Sequence, residues 1–329
     1  MMSRTHPLDL PEICSKIANS LGRNDLASCA RVCQDWNGSF TPLLYNSVVL
    51  SKRGFSMESL ERNKHLIRRL KIQTSYEKQP STSTRVNDVS SILANSNLTE
   101  LHYNSNMIGD KGAQALSEAL KANSTLTTLT LYYNSIGPDG AQSLSEALKT
   151  NSTLTTFNLA SNSIESNGAQ AMSEALKANS TLTTLMLDNN KIGSNGAQAL
   201  SEALKINLTL TTLNLWENYI GPNGAQALSE ALKTNLNLTT LNLGSNGIGP
   251  NGAQALSEAL RINSTLTTLV LGRNRIKAEG AQALSDALKT NSTLTTLDLG
   301  GNTIGDNGAQ ALSEALKAND CDHYGHIIQ

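Results

Sequence analysis

Few residues in this 329-residue chain have the types and spacing of reactive chemistry. Cys29 and Cys33 stand one helical turn apart. A metal or redox site there needs further ligands or a paired geometry, and no nearby histidine supplies one. Buried thiols acting as small apolar side chains are the expectation. Cys321, His323 and His326 crowd the tail D-C-D-H-Y-G-H-I-I-Q, but one short cluster is thin support for zinc. Asn-Ser-Thr or Asn-Leu-Thr recurs at Asn97, Asn123, Asn151, Asn179, Asn207, Asn237, Asn263 and Asn291, the form of a glycosylation acceptor. The N-terminus lacks the apolar run of a secretory leader, so these tripeptides are expected to be polar turns. No G-x-x-x-x-G-K-S/T loop, nucleophile elbow or paired-histidine motif occurs. A non-catalytic chain is therefore expected, with no cofactor and no metal ligand assigned.

The remaining candidates are residues that could recognise another molecule, and a repeat must position them. Leucines stand at Leu98, Leu126, Leu154, Leu182, Leu210, Leu238, Leu266 and Leu294, always 28 residues apart. Each opens a unit like L-T-T-L-N-L-W-E-N-Y-I-G-P-N-G-A-Q-A-L-S-E-A-L-K-T-N, here read from Leu210 to Asn235. Leu213 and Leu215 alternate with polar residues, which predicts a strand. Ala227, Leu228, Ala231 and Leu232 share one helical face, with Gln226, Ser229, Glu230 and Lys233 expected in water. Asn223 and Gln226 have capping-box spacing, and Asn235 suits a left-handed helix stop. A strand and a helix of this length cannot bury their apolar faces alone, so the copies must stack. Strands stack at ~4.8 Å and helices at roughly 8–10 Å, so the array curves with its strands inside. Asn106, Asn134, Asn162, Asn190, Asn218, Asn246, Asn274 and Asn302 follow the strands. There each can bond backbone groups of the turning chain and of the next copy. Ile67, Leu70 and Ile72 repeat the strand spacing once more, as a degenerate capping copy. After the last copy, the strand at Leu297 to Leu299 is expected to be an exposed edge.

The pattern L-x-x-L-x-L-x-x-N-x-I in a 28-residue helical unit resembles the leucine-rich repeat of the ribonuclease-inhibitor-like subclass. The resemblance implies a right-handed α/β horseshoe solenoid whose concave face binds protein. Comparing the copies within this chain sharpens that expectation. Outward helix positions barely change, with Gln and Ser constant and Glu yielding only to Asp286. Inner-face positions differ. One reads His102, Thr130, Asn158, Met186, Asn214, Asn242, Val270, Asp298; the next reads Asn104, Tyr132, Ala160, Asp188, Trp216, Gly244, Gly272, Gly300. A third reads Ser105, Tyr133, Ser161, Asn189, Glu217, Ser245, Arg273, Gly301. Aromatics edged by charges are the usual anchors of protein interfaces. The candidate substrate-binding residues are therefore His102, Tyr132, Tyr133, Met186, Asp188, Trp216, Glu217 and Arg273.

Composition agrees with a protein partner. Lys plus Arg is 26 against 27 for Asp plus Glu, so the basic excess of a nucleic-acid or membrane-surface protein is missing. Aromatics are 4%, so the core must be aliphatic. No apolar run approaches the ~20 residues of a membrane span. A soluble protein of the cytoplasm and/or nucleus is expected.

Residues 1–60 do not repeat. Ile13, Ile17 and Leu21 share one helix face; Leu26, Cys29, Cys33 and Trp36 share a second. The pattern L-P-E-I-x3-I-x3-L-x3-D-L-x2-C-x2-V-C-x2-W-x7-L-Y, from Leu10 to Tyr45, resembles an F-box of the fungal type, a small all-α unit. The resemblance implies docking to a Skp-family adaptor through Leu10, Pro11, Ile13, Ile17, Leu26, Val32 and Trp36. It implies a substrate-recognition subunit of a cullin-type ubiquitin ligase, its chemistry residing in other subunits. The expected organisation is an F-box-like domain (1–46), a linker and degenerate capping repeat (47–97), eight repeats (98–319) and a tail (320–329). Alternatives are a ribonuclease-inhibitor-like binding or inhibitor scaffold and a GTPase activator of the Ran type.

Overall fold

The structure, a computed structural model, describes residues 47–50, 64–73, 89–94, 97–318 and 326–328. Its strands are β1 (Ser47–Leu50), β2 (Arg69–Gln73), β3 (Glu100–Asn104), β4 (Thr128–Thr130), β5 (Thr156–Asn158), β6 (Thr184–Met186), β7 (Thr212–Asn214), β8 (Thr240–Asn242), β9 (Thr268–Val270), β10 (Thr296–Asp298) and β11 (His326–Ile328). Its helices are α1 (Gly109–Ala122), α2 (Pro138–Thr150), α3 (Glu165–Ala178), α4 (Gly193–Leu204), α5 (Gly221–Leu232), α6 (Gly249–Leu260), α7 (Lys277–Leu288) and α8 (Gly305–Ala318). The strands form one parallel sheet in chain order. Thr pairs with Thr and leucine with leucine, as in Leu213↔Leu241. Each copy adds one strand to the inner wall and one helix to the outer wall. The molecule is the α/β horseshoe solenoid expected from the repeat.

The core is a continuous aliphatic sandwich between the walls. Leu210, Leu213, Leu215 and Ile220 of the fifth copy are fully buried, as are their counterparts in neighbouring copies. From the helix come Ala225, Leu228, Ala231 and Leu232. Ala225 takes the place expected for Ala227, which is only half-buried. Ser229 is also fully buried rather than solvated; its hydroxyl donates to the Ala225 carbonyl (2.8 Å). The equivalent Ser173 and Ser285 donate across the seam to carbonyls of the following helix. A small hydroxyl suits a crowded helix–helix seam where it can satisfy itself against backbone. Gly224 marks how crowded that seam is: a Cβ there would lie 2.4 Å from Ile220 Cγ2 and 3.0 Å from Ala197 Cβ.

Two asparagine columns complete the frame. The Asn218 Nδ2 donates to the Leu187 (2.9 Å) and Trp216 (3.2 Å) carbonyls, and its Oδ1 accepts from the Asn190 (2.9 Å) and Ile192 (3.3 Å) amides. Leu187, Asn190 and Ile192 belong to the preceding copy, so these side chains reach backwards along the array, not forwards as the spacing alone suggested. The second column sits after each helix. Asn207 donates to the Leu176 and Asn179 carbonyls and accepts from the Thr209 and Leu210 amides. Asn235 does the same one copy on, outside the left-handed region. The left-handed stop is therefore replaced by a side-chain clamp on the turn. The asparagines of most of the glycosylation-like tripeptides, Asn123 through Asn291, are these buried clamps; Asn237 and Asn97 are not. The capping-box expectation also gives way. The α5 helix begins at Gly221 with no side-chain cap, and Asn223 lies exposed in its first turn. At α2 the amides of Gly137 and Gly140 bond instead to the Asp110 carboxylate of α1.

At the N-terminal end, β1 and β2 extend the sheet. Leu70 and Ile72 lie in register with Leu101 and Tyr103 and are buried with Ile67. At the other end, β11 pairs in parallel with β10. The strand expected to be an exposed edge is therefore covered.

Candidate functional site

The inner face is built by alternation. With Leu213 and Leu215 pointing into the core, Thr212, Asn214 and Trp216 stand on the concave side. The chain then leaves the sheet through a left-handed residue in every copy. That position holds Tyr133 (φ 55°), Glu217 (φ 55°) and Arg273 (φ 58°), conformations that bulky residues rarely adopt. Their backbone is set by the turn, so the side chains are held at the rim.

Tyr132 and Tyr133 are 42% and 47% exposed, with ring centroids 6.1 Å apart. Trp216 is half-buried and leans over Gly244 of the next copy, where a Cβ would lie 2.6 Å from its Cδ1. Arg273 lies against Gly301 in the same way. Asp188 is half-buried; its Oδ1 accepts from Asn214 Nδ2 (2.9 Å), and burial pushes its carboxyl pKa above the ordinary range. Met186, in register with Asn214, stands on the same face. His102 is tied down at the N-terminal end, its Nδ1 3.0 Å from Thr130 Oγ1 and its Nε2 3.6 Å from Glu100 Oε2.

The structure thus brings six of the candidates together. Tyr132, Tyr133, Met186, Asp188, Trp216 and Glu217 lie on the second, fourth and fifth copies, within about 14 Å at ~4.8 Å per strand. His102 lies one copy outside this group and Arg273 two copies beyond it. The adaptor-docking candidates Leu10, Pro11, Ile13, Ile17, Leu26, Val32 and Trp36 lie outside the described residues, as do Cys29, Cys33, Cys321 and His323. Among the described residues no group of three or more His, Cys, Asp or Glu could hold a metal ion. No described helix is long and apolar enough to cross a membrane.

The constancy of the helical wall has physical causes. The serine is packed in the seam. The glutamate accepts from a lysine three residues on, as in Lys149–Glu146 (2.7 Å), and Gln142 donates to the same oxygen. These contacts hold the Glu146 carboxyl below its ordinary pKa, Lys149 most strongly. A groove of about 370 Å³ between α4 and α5 is lined by Gln198, Glu202, Gln226 and Glu230, types repeated in almost every copy, so it belongs to the frame. Some inner-face side chains, Asn158, Asn214, Asn242 and Asp298, accept from the backbone amide two residues on, but the residue type at the inner positions changes from copy to copy, and that variation is what singles the face out.

The sequence reading passed over one feature. Ile206, Leu208, Leu236 and Ile262 are 57–75% exposed in the turns after α4, α5 and α6. Other copies place Ala, Thr or Ser there. These turn positions differ from copy to copy just as the inner-face positions do, so the apolar edge is legible in the sequence.

A parallel β–α solenoid with a copy-specific concave wall defines a repeat scaffold suited to binding protein. The leucine-rich-repeat family model matches residues 94–117, 122–145, 150–173, 178–201, 207–229, 234–257, 263–285 and 290–313. The chain belongs to the leucine-rich-repeat family. A search of curated proteins finds no match. Among solved structures, the leucine-rich-repeat protein LegL7 from Legionella pneumophila is similar at 21% identity and TM-score 0.48, over 70% of this chain and 73% of that one. The actin-binding site 2 of leiomodin-1 matches at 22% identity and TM-score 0.36, over 55% and 88%. The tropomodulin C-terminal domain of Caenorhabditis elegans matches at 18% and 0.39, over 47% and 93%.

Proposed function

We propose that this chain is the substrate-recognition (F-box) subunit of a cullin-type ubiquitin ligase, acting in the cytoplasm and/or nucleus. Residues 1–46 would dock a Skp-family adaptor through Leu10, Pro11, Ile13, Ile17, Leu26, Val32 and Trp36. The concave face would hold a protein substrate, and the transfer chemistry would lie in other subunits. One observation carries the reading: an F-box-like segment precedes a solenoid whose concave wall varies from copy to copy while its helical wall does not. The division of labour follows physically. A helical segment of about 40 residues, as the sequence pattern predicts for residues 1–46, would be too small to build a large core of its own, and Leu10, Ile13, Ile17 and Leu26 would then be free to meet a partner.

The test is copurification of a Skp-family adaptor with the full chain, with a chain lacking residues 1–45, and with Ile13→Asp/Ile17→Asp. Capture by the full chain alone is expected, with the circular dichroism of the repeats retained in all three. No capture by the full chain, or undiminished capture by the truncated one, overturns the ligase reading and leaves a stand-alone binding scaffold.

A further inference from the structure

We propose that Arg273, Arg275 and Lys277 form a basic ridge that receives an acidic segment of the bound protein, through its aspartate or glutamate side chains. This deepens the concave-face reading and rests on it. Arg273 stands at the rim of that face, where other copies hold Tyr133 and Glu217, and Arg275 and Lys277 carry the ridge along the same edge toward α7. The first support is charge. All three side chains are exposed. Among the described residues, lysines of the helical wall such as Lys149 and Lys233 are held by a glutamate three residues before them; Arg273, Arg275 and Lys277 meet no such partner. Residues 245–249, 273–279 and 301–305 of the sixth to eighth copies hold these three cations and one acid, Glu279.

The second support is shape. The copies on either side of the ridge are low. Gly247 and Gly249 of the sixth copy and Thr303 and Gly305 of the eighth take the positions equivalent to Arg275 and Lys277. A Cβ at any of these three glycines would meet nothing within 4 Å. Arg273 lies against bare backbone, since a Cβ at Gly301 would be 3.2 Å from its Cγ. The five residues from Arg273 to Lys277 span at most about 14 Å, so a short extended peptide reaches all three cations.

The third support is that the frame works against these residues. All three have left-handed backbones (φ 58°, 57° and 60°), which bulky side chains rarely adopt. At the Lys277 position six of the other seven copies place glycine. Lys277 is also the first residue of α7, where the helix dipole disfavours a cation. Neither the turn nor the dipole is served by this charge; an anionic partner is. Three cations beside an acid suit a peptide. A nucleic acid draws on roughly six to ten phosphate contacts, and the net charge of the chain is -1.

The experiment labels the full chain with ¹⁵N-arginine and assigns the side-chain Nε–H resonances of Arg273 and Arg275 with Arg273→Lys and Arg275→Lys. The probes are acetyl-Glu-Thr-Glu-Thr-Glu-amide, its glutamine counterpart and a thymidine tetranucleotide of equal charge, each titrated into the tens of millimolar at constant ionic strength. The glutamate peptide should shift both resonances saturably and bind more tightly than the tetranucleotide, and the glutamine peptide should leave them in place. Lys277→Gly should weaken the glutamate peptide about two- to five-fold, as for one exposed ion pair, and melt no lower than the parent. Lys233→Gln, an equal change of charge on the helical wall, should leave the affinity as it was. No saturable response to the glutamate peptide, an equal response to the glutamine peptide, or tighter binding of the tetranucleotide overturns the proposal. So does Lys277→Gly binding no worse than Lys233→Gln, or melting below the parent, which makes Lys277 part of the frame. A chain that passes this titration and captures no adaptor keeps the ridge and loses the ligase reading. One that captures adaptor and fails the titration loses the ridge alone.

Discussion

Asn218→Ala tests what joins one copy to the next. The side chain is fully buried in mid-array and makes four hydrogen bonds. Three of their partners, the Asn190 and Ile192 amides and the Leu187 carbonyl, belong to the preceding copy. The Leu187 carbonyl keeps a second donor, Asn190 Nδ2 at 3.0 Å, so its loss is softened. The two amides do not, because the backbone bonds between the copies here run from the Asn189 and Gly193 amides to the Trp216 and Asn218 carbonyls. Stranding a buried amide costs about 1–3 kcal/mol, so the substitution should cost roughly 2–6 kcal/mol. The cost should be local: stacked repeats are stabilised by nearest-neighbour interfaces, and this one lies between the fourth and fifth copies. Urea unfolding followed by circular dichroism should show a lower midpoint. Hydrogen exchange should show faster opening of amides around Asn190 and Ile192 than around Asn302. A loss under about 1 kcal/mol, or exchange raised evenly along the array, would refute the view that the asparagine column couples the copies.

Three further substitutions separate frame from face. Leu215→Ala should cost about 2–5 kcal/mol by leaving a cavity between sheet and helices; a denaturation midpoint left unchanged would mean its side chain is not in the core. Asp188→Asn should raise the melting temperature at neutral pH. The folded-state pKa of Asp188 lies above its ordinary 3.8, so stability falls as pH rises from there through the raised value. The gap between variant and parent should therefore close in acid, and a gap that widens in acid would contradict this. Replacing Tyr132, Tyr133 and Trp216 together by alanine should abolish partner capture with little change in melting temperature. Capture that survives removes the concave face as the binding surface.

Much of the frame is legible in the sequence because it is written eight times. The 28-residue leucine spacing fixes the strand, and a polar residue at a constant place after it, the Asn218 position, requires buried backbone partners. Errors arose where polarity was taken for exposure. Ser229 looks like a solvent residue on a helical wheel, yet adjacent helices approach so closely that only a small side chain fits their seam. Asn235 looks like a left-handed stop, but its amide clamps the turn from a backbone outside the left-handed region, which a residue type alone does not distinguish. Asn223 has capping spacing, but the chain turns into the helix earlier, at Gly221. The candidate site was legible as a set of positions, since alternation fixes which residues face inward. Its grouping was legible too, since strands ~4.8 Å apart set the distances between copies; how the side chains lie was not, because the leaning of Trp216 over Gly244 depends on a missing side chain in the next copy.

That last contact shows how a recognition surface can vary on a nearly invariant frame. Inner-face residues touch neighbours across copies, so one copy's side chain shapes the room available to another. Trp216 can lie down because residue 244 has no Cβ, and the same glycine position recurs at Gly272 and Gly300. None of these three glycines has a positive φ, so the backbone does not demand them. They lower the wall beyond Trp216, while Tyr132 and Tyr133 stand 42% and 47% exposed on the second copy. Relief and charge on the concave face are therefore set by a few side-chain choices. The leucines and asparagines, whose burial and hydrogen bonds carry the stability, need not change with them.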